Sequence, residues 1–244
     1  MSLANEIESF TVEGLKVTIV YDDRADGPRT EGDMLSVMVC DHRRYSLGDR
    51  HPNEREENIL SKWGWHGLKR YLHLTGAIAT TKLGLYDHSG ITMYAVGDDS
   101  NGHGIGDEAG WDSGIVGFAY VTRERWNELC GEQFDPLELV DDEEQIGFGK
   151  FPVKRTRVEK QMLGEIEEYD SFLRGEVYGY IIERDHPCDR GLEHLDLEES
   201  CFGFIGDIEY VKAEATDVAK SIAAEAKAVP VGTIADQIGG TTVQ

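Results

Sequence analysis

Three short stretches concentrate the groups that could move protons or hold an anion. The first is Asp41-His42-Arg43-Arg44-Tyr45, the second Asp87-His88-Ser89-Gly90 and the third Trp111-Asp112-Ser113-Gly114. Each pairs charged or hydroxyl side chains with a predicted strand end, where binding loops tend to sit. Arg43 and Arg44 are adjacent, so on a strand they would point to opposite faces. In a loop one can pair with a carboxylate while the other faces an anion; the plainer alternative is that either simply pairs with Asp41 or Asp49. His42, His88 and Asp112 are the candidate acid–base groups, provided a shared sheet brings their strands together. Arg43, Arg44, Tyr45, Asp87, Ser89, Trp111 and Ser113 complete the set as candidate ligand contacts. The sequence names no cofactor.

Other chemistries are less well supplied. Cys40 precedes His42 by two residues, but it ends an apolar run, and a buried free cysteine is usually inert. Asp112-Ser113-Gly114 lacks the Gly-x-Ser-x-Gly elbow of hydrolases. His186, Cys188, His194 and Cys201 could form a zinc set, yet no Cys-x-x-Cys knuckle is present and an exposed hairpin loop is the simpler reading. The run from Asp98 to Glu108 is acidic and Gly-rich, but its spacing does not match a helix-loop-helix calcium site. No metal site is assigned.

The bulk composition narrows the partners. Of 244 residues, 47 are Asp or Glu and 24 are Lys or Arg, giving a net charge of −23. Such a surface repels nucleic acid and anionic membranes, and its self-repulsion is relieved by salt, which suits a halophilic source. No apolar run reaches the roughly 18 residues of a membrane span, and the N-terminus lacks the pattern of a signal peptide. A cytoplasmic setting is expected, and four cysteines are too few for a disulfide scaffold.

The elements that would position these groups follow from periodicity. Strands are expected over 8–21 with a Glu13-Gly14 turn, over 34–40 as a central strand apolar on both faces, and over 85–96, 115–121, 177–182 and 201–205. Asn53 caps a helix to Leu74 that weakens at Gly64 and Gly67, with Trp63-Gly64-Trp65-His66 as a core plug. Thr122 caps a short helix. The seven carboxylates of 132–144 read as a solvated loop, balanced by the basic patch Lys150–Lys160. Thr156 and Glu159 form a capping box before the stripe Val158, Met162, Ile166, Tyr169, Leu173, and Asp207 caps a last helix. The fold class is α+β: a mostly antiparallel sheet with the helices at 156–174 and 207–227 packed on one face, and long polar loops. One domain over 1–228 is expected, with an insertion loop near 98–110 and a flexible tail over 229–244.

Several motifs resemble those of a family encoded by tailed phages and archaeal viruses. They are His42-Arg43-Arg44-Tyr45-x-Leu47-Gly48-Asp49, Leu85-Tyr86-Asp87-His88-Ser89-Gly90-Ile91-Thr92-Met93 and Trp111-Asp112-Ser113-Gly114-x-x-Gly117-Phe118-x-Tyr120-Val121. Later ones are Phe172-Leu173-x-Gly175-x-Val177-Tyr178-Gly179-Tyr180 and Ser200-Cys201-Phe202-Gly203-Phe204-x-Gly206. The likeness spans about 17–212. The chain departs from it at Asp98–Gly110, an insertion, at Phe202, where Trp is usual, and at Glu199, where Asp is usual. The resemblance implies a viral protein in the host cytoplasm and brings no activity. Three functions are therefore open: an accessory protein binding a small ligand or a host protein, a hydrolase of phosphorylated or nucleotide-like substrates, and a virion component.

Overall fold

The computed structural model describes residues 5–30, 34–100, 102, 111–146, 149–187 and 193–228. The expected tail over 229–244 and most of the expected insertion loop lie outside these. In chain order the elements are β1 (Glu6–Val12), β2 (Leu15–Tyr21), β3 (Val37–Cys40), α1 (Glu54–Leu74), β4 (Ala77–Asp87), β5 (Ile91–Val96), β6 (Ser113–Thr122) and α2 (Arg123–Cys130). Then follow β7 (Leu139–Ile146), β8 (Gly149–Thr156), α3 (Arg157–Leu173), β9 (Val177–Pro187), β10 (Glu193–Ile205) and α4 (Ile208–Ala228). The fold is α+β, and every strand pairing within the sheets is antiparallel. Two compact units divide the chain: Met1–Ala25 with Glu176–Gln244, and Asp26–Gly175.

The first unit is a sheet in the order β1-β2-β9-β10 with α4 on one face. Glu13 and Gly14, both at positive φ (51° and 87°), turn β1 into β2 as expected of a tight hairpin. Leu15, Val17 and Ile19 alternate inward with Tyr180 and Ile182, and meet Val211, Ala215 and Ala219 of α4. The small residues of α4 let the helix lie close to the strands. Asp207 Oδ1 accepts the Glu209 N–H at 2.9 Å, which starts that helix.

The second unit is a sheet in the order β3-β6-β4-β5. Successive residues of β3 point to opposite faces. Met38 and Cys40 join Leu83, Leu85, Val121 and the α3 stripe Val158, Met162, Ile166, Tyr169. Val39 instead joins Phe118 with Leu68 and Leu72 of α1. The sheet is thus covered on both faces, by α1 and α3. The expected pair of helices on one face is replaced by α3 on this sheet and α4 on the other, because the chain passes out of the first unit after residue 25 and re-enters it at 176. β3 is apolar on both faces yet is the outer strand, not a central one. Its open side is closed by the returning chain: Cys40 N–H donates to the Arg50 carbonyl at 3.0 Å, and Met38 N–H donates to Asp49 Oδ2 at 2.7 Å. At the other edge, the Met93 N–H of β5 donates to Asp170 Oδ1 of α3 at 2.6 Å.

Two sequence expectations change here. The acidic run expected to be a loop is one over 132–138, but its second part, from Leu139, is strand β7, and the basic run from Lys150 to Arg155 lies in its partner β8. Opposite charges face each other across the hairpin, with Arg155 on Asp142 at 3.1 Å and Lys154 on Asp141. Trp63 is not a core plug. Gly64, at φ 61° and ψ −162°, breaks α1 and leaves Trp63 73% exposed, while Trp65 packs inward.

Candidate functional site

Sheet order alone explains why the three polar stretches meet. β6 lies between β3 and β4 and runs antiparallel to both, so the C-terminal ends of β3 and β4 flank the N-terminal end of β6. Asp41 N–H donates to the Val116 carbonyl at 2.8 Å, and Asp87 N–H donates to the Asp112 carbonyl at 2.7 Å. These two bonds extend the ladders just past the strands and seat the loop 41–44 beside residues 111–116. A cavity of about 310 Å³ opens between them, lined by His42, Arg43, Arg44, Asp87, Trp111, Asp112 and Ser113 together with Leu85 and 114–116.

Seven of the ten nominated residues therefore line one cavity. Tyr45 supports it from behind. Its ring stacks on His42 at 5.0 Å and its hydroxyl donates to Asp87 Oδ1 at 3.2 Å. His88 and Ser89 are outside the lining, in the turn between β4 and β5. Residues i and i+2 share a strand face, so His88 goes with Tyr86, on which it stacks at 6.1 Å, and away from Asp87. The lining residues that sequence reasoning did not nominate are Leu85, two positions before Asp87 on β4, and 114–116, the strand residues that follow Ser113 on β6.

The two arginines play different parts. Arg44 forms an ion pair with Asp87 and lies over the Tyr45 ring. Asp49 is taken by Arg29 in a two-pronged pair, with both bonds at 2.7 Å, and Asp41 faces His51 at 3.7 Å, so neither arginine of the loop has Asp41 or Asp49 as its partner. Arg43 is exposed and, among the described residues, makes no ion pair or hydrogen bond. Burial and the Arg44 and Arg43 charges hold the His42 imidazole below its ordinary pKa, so it is neutral at pH 7. Arg44 N–H approaches His42 Nδ1 at 3.4 Å. That weak bond favours the tautomer with the proton on Nε2, a donor, not a base. Together these groups form a donor-rich corner suited to an anion.

Other candidates resolve differently. A larger hollow of about 1000 Å³ lies between β5, the β7–β8 hairpin and α3. Its lysines and Arg155 are neutralised by Asp142 and Glu143 at 3.1–4.0 Å, so it offers a self-paired seam. Cys188 of the conceivable zinc set lies outside the described residues. His186 and His194 are cross-strand partners, but Cys201 pairs with Tyr180, seven residues further along β10, about 23 Å away at strand rise. Among the described residues no group of three His, Cys, Asp or Glu is placed to hold a metal. The loop after β5 already has an internal cation: the Lys82 ammonium, on a buried side chain, donates to the Asp98 carbonyl at 2.8 Å and to that of Ser100.

Cys40 is 1% exposed, and burial pushes its thiol up to about 12. It cannot serve as a thiolate for His42. At pH 8, alkylation of the folded protein followed by peptide mapping should label the exposed Cys201 and leave Cys40 intact until denaturant is added.

No protein-family model matches the chain, and neither does any curated protein or solved structure. Among the described residues, no helix is long and apolar enough to cross a membrane.

Proposed function

We propose that the chain is a virus-encoded accessory protein that binds a small anionic ligand in the cavity at the end of β6. The observation that carries this reading is Arg43. In a chain with twice as many acids as bases, an arginine with no ion pair among the described residues stands at a cavity mouth, beside a neutral histidine and a second arginine. Donors that converge on one position are stabilised when an anion arrives there. A cavity of this size, with walls from three strand ends, favours a small molecule over a protein surface as the partner. The viral resemblance supplies the setting. Hydrolysis is less well supported, since His88 lies outside the walls and His42 is arranged as a donor.

Sulfate tests the reading, because its charge is constant between pH 5 and 8. Titration calorimetry should detect sulfate binding to the native chain, and Arg43→Ala should weaken it about tenfold, the equivalent of about 1.4 kcal/mol. No heat above that of the variant would remove the proposal. The pH dependence has a definite sign. The free site holds His42 neutral, and a bound anion favours its protonated form. Affinity therefore rises as pH falls from 7 through the range below the ordinary histidine value of about 6.5. His42→Gln, whose amide cannot take up a proton, should flatten that rise.

A further inference from the structure

The cavity has two chemically different sides, and the ligand must satisfy both. The loop side, His42 and Arg43, presents donors. The β6 side presents Trp111, Asp112 and Ser113. Trp111 is 87% exposed and Ile115, which also lines the cavity, is 43% exposed. A large apolar ring held in water at the rim of a polar cavity gains from being covered, and a flat ring covers it best. A cavity of about 310 Å³ is at the small end of ligand sites, enough for one ring system with one charged group.

The geometry points to a phosphorylated planar heterocycle, of the mononucleotide class, as the ligand. Its phosphate meets Arg43 and the His42 Nε2–H, and its ring stacks on Trp111. This rests on the anion-binding reading above and adds the ring. Polymeric nucleic acid remains disfavoured, because the chain's charge of −23 repels a polyanion while a single phosphate meets only the local donors.

The experiment compares four probes on the full chain by calorimetry and tryptophan fluorescence: sulfate, ribose 5-phosphate, the four common nucleoside 5′-monophosphates, and the matching nucleosides. At least one monophosphate is expected to bind tenfold or more tighter than ribose 5-phosphate and to quench fluorescence. Trp111→Leu should erase that advantage and leave sulfate binding intact. Trp111 is exposed, so this variant is expected to fold, and circular dichroism checks it. If the monophosphates bind no better than ribose 5-phosphate, or if Trp111→Leu retains the advantage, the ring contact is wrong while the anion site stands. If neither sulfate nor any phosphate binds, both readings fall.

Discussion

Gly117→Ala is expected to cost about 3 kcal/mol or more of stability and to abolish anion binding in whatever remains folded. A methyl group at residue 117 would stand 2.0 Å from the Val39 carbonyl oxygen and 2.9 Å from the Cys40 Cα. Both are backbone atoms of β3, so no side chain can rotate away. β3 must separate from β6 at the register position where Cys40 faces Gly117. The loop with His42 and Arg43 begins one residue later, so the same displacement moves the anion corner. Urea denaturation would report the first effect and sulfate titration the second. Gly114→Ala is the matched control. It also lies in β6 and borders the cavity, but an added methyl there meets nothing within 4 Å. Its stability should stay within about 0.5 kcal/mol of the parent.

Glu165→Ala is expected to be nearly as damaging by another route. The carboxylate is 6% exposed and accepts three hydrogen bonds, from the Leu35 N–H at 2.6 Å, the Ser36 N–H at 2.8 Å and the Ser36 hydroxyl at 2.6 Å. Truncation leaves two backbone donors buried with no acceptor from this side chain. Each costs about 1–3 kcal/mol, so the total loss is roughly 3 kcal/mol. Glu165→Gln should recover only part of it, because the amide nitrogen is a donor and would face a donor. The measured difference between the two variants in urea separates lost bonding from lost volume. An Ala variant as stable as the parent would show that the chain entering β3 does not depend on α3.

That three polar stretches end at neighbouring strand ends was more readable in the sequence than which helix covers which sheet. The polar stretches were legible because each sits where an apolar run stops, and antiparallel neighbours put such ends together in pairs. Even the loss of His88 was readable: alternation puts it with Tyr86 if Asp87 faces the cavity. What local pattern could not supply was the company each element keeps. β7 contains four consecutive acids and reads as a loop until β8, with Lys150, Lys154 and Arg155, is set against it. The first half of β4, Ala77-Ile78-Ala79-Thr80-Thr81, has Ile78 as its one large apolar residue and does not read as a strand, although β6 pairs along it. Trp63 and Trp65 differ by two positions, and one glycine conformation between them decides which is inside. Helix partners were the least readable, since an apolar stripe, bulky on α3 and small on α4, says that a helix packs but not on which sheet.

The Asp170 carboxylate on the Met93 N–H has a consequence for assembly. An outermost strand is a template on which another molecule's strand can add, and once one adds, the next finds the same template again. Here the chain itself occupies that position, with an oxygen from its own helix where an incoming carbonyl would dock. At Met93 the edge strand of the candidate ligand site's sheet therefore offers an incoming strand no free donor, and β5 itself contains no proline.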